Sequence, residues 1–256
     1  MKYISSTNHE RTEEYLSKFN RENVLKLLIK DTAPIIFDVG ANEGLSLDEF
    51  KTWWKNSIVH CFEPQERCVD ILINKSQTYK KSDVFINRNA VGKKEKNNVD
   101  FYSHDIHSGL SGFNKVNVDS IDSVYLNELK TSTNTKLNQY INKLNHKTLV
   151  NLIRLDDYMV DNEIDRINLL KIDTQGFEPE VLSGLGKRLE DVDVVLTELM
   201  FYDYYNRSLS FTDIEKYLMP AGFQLYDISH IAKNPMNGRT DWVDVIYVNN
   251  RVIGKE

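Results

Sequence analysis

Only two cysteines, Cys61 and Cys68, occur in the 256 residues. Two cannot build a disulfide framework, and their spacing fits no zinc pattern. Both are expected to be reduced core residues, one in a strand and one in the helix after it. Excess positive charge is also missing. The formal net charge is -6, which removes the general basic footprint of a nucleic-acid binder. No apolar run approaches the ~18 residues of a membrane helix. The polar N-terminus lacks a signal-peptide core, so a cytoplasmic protein is expected. Neither an internal repeat nor a clear linker interrupts the chain. What is present is enough hydrophobic sequence, 41%, for one large domain.

The order of elements carries more. Thr7 and Glu10 fit a capping box, and Leu16, Phe19, Val24, Leu27 and Leu28 are spaced for one buried helical face through about Lys30. Residues 1–34 are therefore expected as an N-terminal helical segment ahead of a domain at 35–250. There, Ile35–Val39, Ser57–Phe62 and Val84–Asn89 read as strands, with helices from about Leu45 and Gln65 between them. That alternation predicts a parallel sheet with covering helices. Val99–Ser103 looks like a short edge strand, and Thr148–Leu155 is again strand-like. Ile167–Ile172 and Val192–Thr197 resume the sheet. Thr212 and Glu215 suggest a capping box for a helix to about Met219. Gly222–Ser229 and Trp242–Asn249 resemble a closing antiparallel pair. The polar stretch 114–147 reads as an insert of two short helices, with Ile121, Val124 and Tyr125, then Leu137, Tyr140, Ile141 and Leu144, at helical spacing.

The most informative segment is Ile35–Gly44. A strand runs into Asp38, and Gly40, Asn42 and Gly44 form a turn at the start of a helix. Glycine lets backbone N–H groups approach a ligand closely, and the helix start favours an anionic group. About 20 residues beyond, Glu63 ends the next strand, where an acid holds an adenosine ribose in nucleotide-binding α/β folds. Together these point to an adenosine-containing cofactor.

Asp38–Gly44, Glu63-Pro64, Asn89-Ala90-Val91-Gly92, Leu155-Asp156-Asp157-Tyr158 and Lys171-Ile172-Asp173-Thr174-Gln175-Gly176 occur in this order. The chain thereby resembles the FkbM family of S-adenosylmethionine-dependent methyltransferases from about Ile35 to Asn249. The resemblance implies a Rossmann-like class I α/β fold. Its seven-stranded sheet would be mostly parallel with an antiparallel last strand and helices on both faces. It also implies O-methylation of a hydroxyl, often on a sugar, and so a place in carbohydrate biosynthesis with a small-molecule or glycan acceptor. Asp38, Gly40, Asn42 and Gly44 would surround the methionine part of the cofactor, and Glu63 would take both ribose hydroxyls. Asn89 and Ala90 would edge the adenine, although Asn89 suits a simple turn equally well.

Asp173 ends one strand and Glu198 the next, at the edge where open α/β sheets bind ligands. Asp173 could touch the cofactor's amino group, orient the acceptor, bind a metal or merely cap a helix. With Glu198 it could share a divalent cation or leave one acid as general base. His104 and His107 are expected mainly as surface residues, and His230 is a further candidate base. Tyr202, Tyr204 and Tyr205 could stack on a sugar or simply pack. Gln175 stands where the family more often has an acid, which weakens the case for a metal. A nicotinamide-dependent oxidoreductase and a non-catalytic cofactor-binding module are the alternatives. A nucleic-acid substrate is disfavoured by charge, and Asn234-Pro235-Met236-Asn237 lacks the aromatic residue of an amide-flipping base site. A homo-oligomer stays open.

Overall fold

The computed structural model describes residues 8–120 and 143–254. Two helices open it, α1 (Asn8–Lys18) and α2 (Arg21–Leu28). The sequence suggested one helix here. It breaks because the Asn20 side chain accepts a hydrogen bond from the backbone N–H of Asn23 and caps a second helix. The expected stripe splits with it: Val24 is buried, while Phe19 and Leu27 lie exposed.

The main sheet has seven strands. They are β1 (Ile35–Val39), β2 (Ile58–Phe62), β3 (Val84–Asn87), β7 (Ile167–Ile172), β8 (Val192–Met200), β9 (Phe223–Lys233) and β10 (Thr240–Asn249). Their order is β3-β2-β1-β7-β8-β10-β9. β10 alone runs against the rest, pairing antiparallel with both β8 and β9. β1 is hydrogen-bonded to β2 on one side and β7 on the other, so the chain order reverses at β1, where ligands bind in such sheets.

Each face of the sheet is buried against helices. On one face α2 brings Val24 and Leu25, and α3 (Leu45–Trp53) brings Leu47 and Phe50, onto Ile36, Leu169, Val194 and Ile246. On the other, α5 (Leu155–Asp161), α6 (Glu178–Leu185) and α7 (Phe211–Leu218) pack on Phe37, Leu170, Val195 and Tyr247. α4 (Glu66–Ser76) follows β2, and α8 (Asn250–Ile253) ends the described chain. The α7 box is formed by Ser210 and Asp213 rather than Thr212 and Glu215.

A second sheet differs from expectation. β4 (Ala90–Val91), β5 (Lys96–Ser103) and β6 (His146–Ile153) form a separate three-stranded unit ordered β4-β6-β5. β6 stops at Ile153, since Arg154 and Leu155 already begin α5. The insert leaves from β5 and returns into β6. Its expected helical stripes at Ile121, Val124, Tyr125, Leu137, Tyr140 and Ile141 lie outside the described residues. Its two flanks are pinned together, with the Asn145 side chain bonded to both backbone groups of Val116. Val116 and Leu144 are buried against Tyr204 and Tyr205.

Candidate active site

The turn after β1 is shaped by close approach. Gly40 has φ +81°, and a Cβ there would lie 1.9 Å from the Asp173 carbonyl oxygen. No side chain fits, so β1 and β7 can meet only through glycine. Asn42 adopts φ +45°, which aims its backbone N–H at Glu63 Oε2, 2.9 Å away. The Gln65 N–H donates to Glu63 Oε1 at 2.8 Å. Each carboxylate oxygen keeps accepting capacity for a ligand. Glu63 is only 2% exposed. Burial pushes its carboxyl up, and the two amides oppose that shift. Gly44, at φ +78°, starts α3 and lies so close to Leu72 that a Cβ would be 2.7 Å from its Cδ2.

A pocket of about 530 Å³ opens beside this turn. Five of the residues expected at the cofactor, Gly40, Asn42, Glu63, Ala90 and Asp173, line it. Phe101 and Phe113, with Ser108 and Ser111, come from β5 and the loop beyond it and also line it. Those residues were missed in the sequence, because only the second sheet brings them back to the main one. Three expected residues do not line the pocket. Gly44 is a helix start, Asn89 is half-buried outside the lining, and Asp38 is fully buried beneath the turn.

Asp38 instead faces Lys171, whose Nζ lies 3.2 Å from Asp38 Oδ1, 3.5 Å from Asp173 Oδ2 and 3.2 Å from the Gly40 carbonyl oxygen. The Asp38 contact is a charge contact without hydrogen-bond geometry. Burial works against the Lys171 charge, but Asp38 and Asp173 together hold it protonated. Burial likewise pushes Asp38 up, and Lys171 opposes it. The signal for Lys171 was a cation within an otherwise apolar strand.

A smaller pocket of about 280 Å³ adjoins, sharing Asp173 with the first and adding Lys171, Glu198, Asp244 and Arg21. Gln175 steadies Asp173 by donating from Nε2 to Oδ1 at 2.7 Å. The Tyr205 hydroxyl is 2.8 Å from Gln175 Oε1. Glu198 lies within β8, opposite Asp244 of β10. Burial, then Asp173, Asp244 and Glu178, push its carboxyl far above the usual range. Among the described residues, no group of three His, Cys, Asp or Glu side chains is placed to hold a metal ion. Two cations, Lys171 and Arg21, stand against these acids instead.

The other candidates fall outside this centre. His104 is buried, not on the surface. It accepts the His107 backbone N–H at 3.0 Å, and burial with His107 pushes it down to about 4. His107 and His230 are exposed. Tyr204 and Tyr205 are core residues against the insert flanks, while half-buried Tyr202 carries the Arg239 guanidinium 5.8 Å from its ring. Cys61 and Cys68 are free and buried, as expected.

A sequence model described as the methyltransferase FkbM domain matches residues 38–225. No curated protein sequence matches the chain. Among solved structures, an FkbM methyltransferase from Methylobacillus flagellatus KT is similar with a TM-score of 0.51 at 14% identity. The match covers 85% of this chain and 44% of that one, so this chain spans less than half of that protein. TrmK from M. capricolum, in complex with S-adenosylhomocysteine, gives a TM-score of 0.48 at 9% identity, covering 90% of this chain and 68% of that one. At 14% identity the M. flagellatus structure speaks for the fold alone, a Rossmann-like α/β sheet that is mostly parallel. The match over residues 38–225 sets aside the nicotinamide alternative. The chain belongs to the FkbM family of S-adenosylmethionine-dependent methyltransferases.

Proposed function

We propose that the protein is an O-methyltransferase that moves the methyl group of S-adenosylmethionine to a hydroxyl of a sugar or surface-glycan intermediate. One observation carries this reading: Asp173 lines both the Glu63 pocket and the smaller acidic pocket beside it. The cofactor and the acceptor would meet at that residue.

The first pocket fits the cofactor in its chemistry. Glu63 offers a buried carboxylate to the two ribose hydroxyls. Backbone groups of Gly40 and Asn42 offer polar contacts to the methionine end. Ala90, Phe101 and Phe113 offer an apolar slot suited to a purine. The bound sulfonium supplies an activated methyl group, so positioning for in-line attack provides much of the catalysis.

A hydroxyl is a weak nucleophile and needs a proton acceptor. Asp173 is suited to that task, since Gln175 fixes one of its oxygens and Lys171 lies beside the other. Glu198, driven toward its protonated form, is suited to donating a hydrogen bond to the acceptor. A metal is not needed for this assignment.

The test is transfer of labelled methyl from S-adenosylmethionine to a panel of sugar nucleotides and glycans. Asp173→Asn should lower turnover by ~10²-fold or more while S-adenosylhomocysteine still binds. Cofactor binding with no transfer to any acceptor would favour the non-catalytic binding module.

A further inference from the structure

The first residue of α2, Arg21, reaches the smaller pocket from outside the span matched by the family. Its Nη2 lies 2.6 Å from Asp244 Oδ2. α1 is tied down beside it, because the Tyr15 hydroxyl donates to Asp227 of β9 at 2.6 Å. The two helices are thus fastened to the last two strands of the sheet at two separate points.

Asp244 stands directly opposite Glu198 on β8 and opposite His230 on β9. Glu198 therefore has carboxyls on both sides, Asp173 beyond β7 and Asp244 on β10. Glu178 from α6 and the hydroxyls of Tyr202 and Tyr205 also act on it or are acted on by it. Lys171 is already committed to Asp38, Asp173 and the Gly40 carbonyl. Arg21 is the cation in contact with Asp244. Carboxyls this close cannot all ionise without countercharge. A cation on one of them decides which releases its proton first.

We propose that Arg21 is a positioning residue: by binding Asp244 it leaves Glu198 as the carboxyl that carries the proton on the acceptor side of the site. The inference rests on the reading of the smaller pocket as the acceptor side. It makes the N-terminal helix pair a working part of the transferase. The electrostatic directions agree. Burial pushes Asp244 up and Arg21 leads the opposing influences, while Asp244 itself pushes Glu198 up. Without Arg21, Asp244 and Glu198 become near-equals that share the proton, as interacting acids do.

The test uses the full chain labelled with ¹³C at the Asp and Glu carboxyls. Resonances of Glu198 and Asp244 are assigned with Glu198→Gln and Asp244→Asn, and S-adenosylhomocysteine binding serves as the check on folding. In the unsubstituted protein Asp244 should ionise well before Glu198. In Arg21→Gln the Asp244 midpoint should rise by about one pH unit or more, a tenfold change, and Glu198 should titrate in two steps. Arg21→Lys should restore most of the original order. Curves for Arg21→Gln that superimpose on the unsubstituted protein would overturn the proposal. Should Arg21→Gln fail to fold, Asp244→Asn decides. Removing that charge must lower the Glu198 midpoint, and an unchanged midpoint overturns the coupling. Full methyl transfer by Glu198→Leu, which can donate no hydrogen bond, would instead overturn the reading of Glu198 as an acceptor-side acid, with the carboxyl coupling intact.

Discussion

Glu63 and Glu178 are both buried carboxyls held by backbone amides, yet they do different things. Glu63 faces a pocket, and its amide partners come from the turn after β1 and the start of α4. Glu63→Ala removes two hydrogen bonds to a charged group, each worth about 1.5–3 kcal/mol. Calorimetry should show S-adenosylhomocysteine affinity falling at least about tenfold. Unchanged affinity would remove Glu63 from the ribose site. Glu178 lines neither of the two pockets. Its Oε1 accepts from the N–H groups of Thr174 and Gly176 and from the Thr174 hydroxyl, which fixes the loop after Asp173. Burial, against those bonds, raises it to about 7. A carboxyl raised in the folded state lends stability that is complete below its unfolded value and is lost as pH rises through about 7. Glu178→Gln keeps the shape without the charge. Melting curves should therefore show a smaller fall in Tm between about pH 4.5 and pH 7.5 than in the unsubstituted protein. Glu63 was legible from its distance to a glycine turn. The burial of Glu178 and the contacts of Lys171 and Arg21 were not, because each depends on partners brought from distant strands.

At the scale of elements, the insert is the clearest case. Its flanks do not hang free. Asn117 N–H donates to the Tyr204 carbonyl, the Ser120 hydroxyl donates to Asp203, and Asn114 Nδ2 donates to the Gln175 carbonyl. The segment thus leaves and returns beside the loop that carries Asp173. Excising residues 121–142 behind a short Gly/Ser link should leave S-adenosylhomocysteine affinity unchanged and impair transfer to the acceptor. Unaltered acceptor kinetics in a folded variant would give the insert no part in recognition. The strand–helix alternation from Ile35 to Ser76 was readable because each element carries its own apolar period and the helices begin at local signals. The pairing of β5 with β6 was hidden, since those strands are joined only across the insert and neither sequence names its partner. The break at Asn20 was hidden for the opposite reason. A local cap overrode an apolar stripe that continued past it.

For the whole molecule, the sheet order places one edge of β1 and β7 beneath two adjoining pockets, and Asp173 belongs to both. The antiparallel β10 brings Asp244 next to Glu198, so the closing strand also supplies charge to the smaller pocket. α1 and α2 are fastened to β9 and β10 through Tyr15 and Arg21. No helix among the described residues is long and apolar enough to cross a membrane. Seven strands with an antiparallel last one were implied by the family resemblance, and the closing pair was legible in the sequence, whereas the smaller pocket was not, because it is assembled from three strands and the start of α2. The central claim is methyl transfer to oxygen, and the direct measurement is ¹³C NMR of the products formed from methyl-¹³C S-adenosylmethionine with sugar-nucleotide and glycan acceptors. The account predicts a methoxy carbon resonance that disappears with Asp173→Asn. A methyl resonance on nitrogen or carbon, or a methoxy signal undiminished in Asp173→Asn, would contradict it.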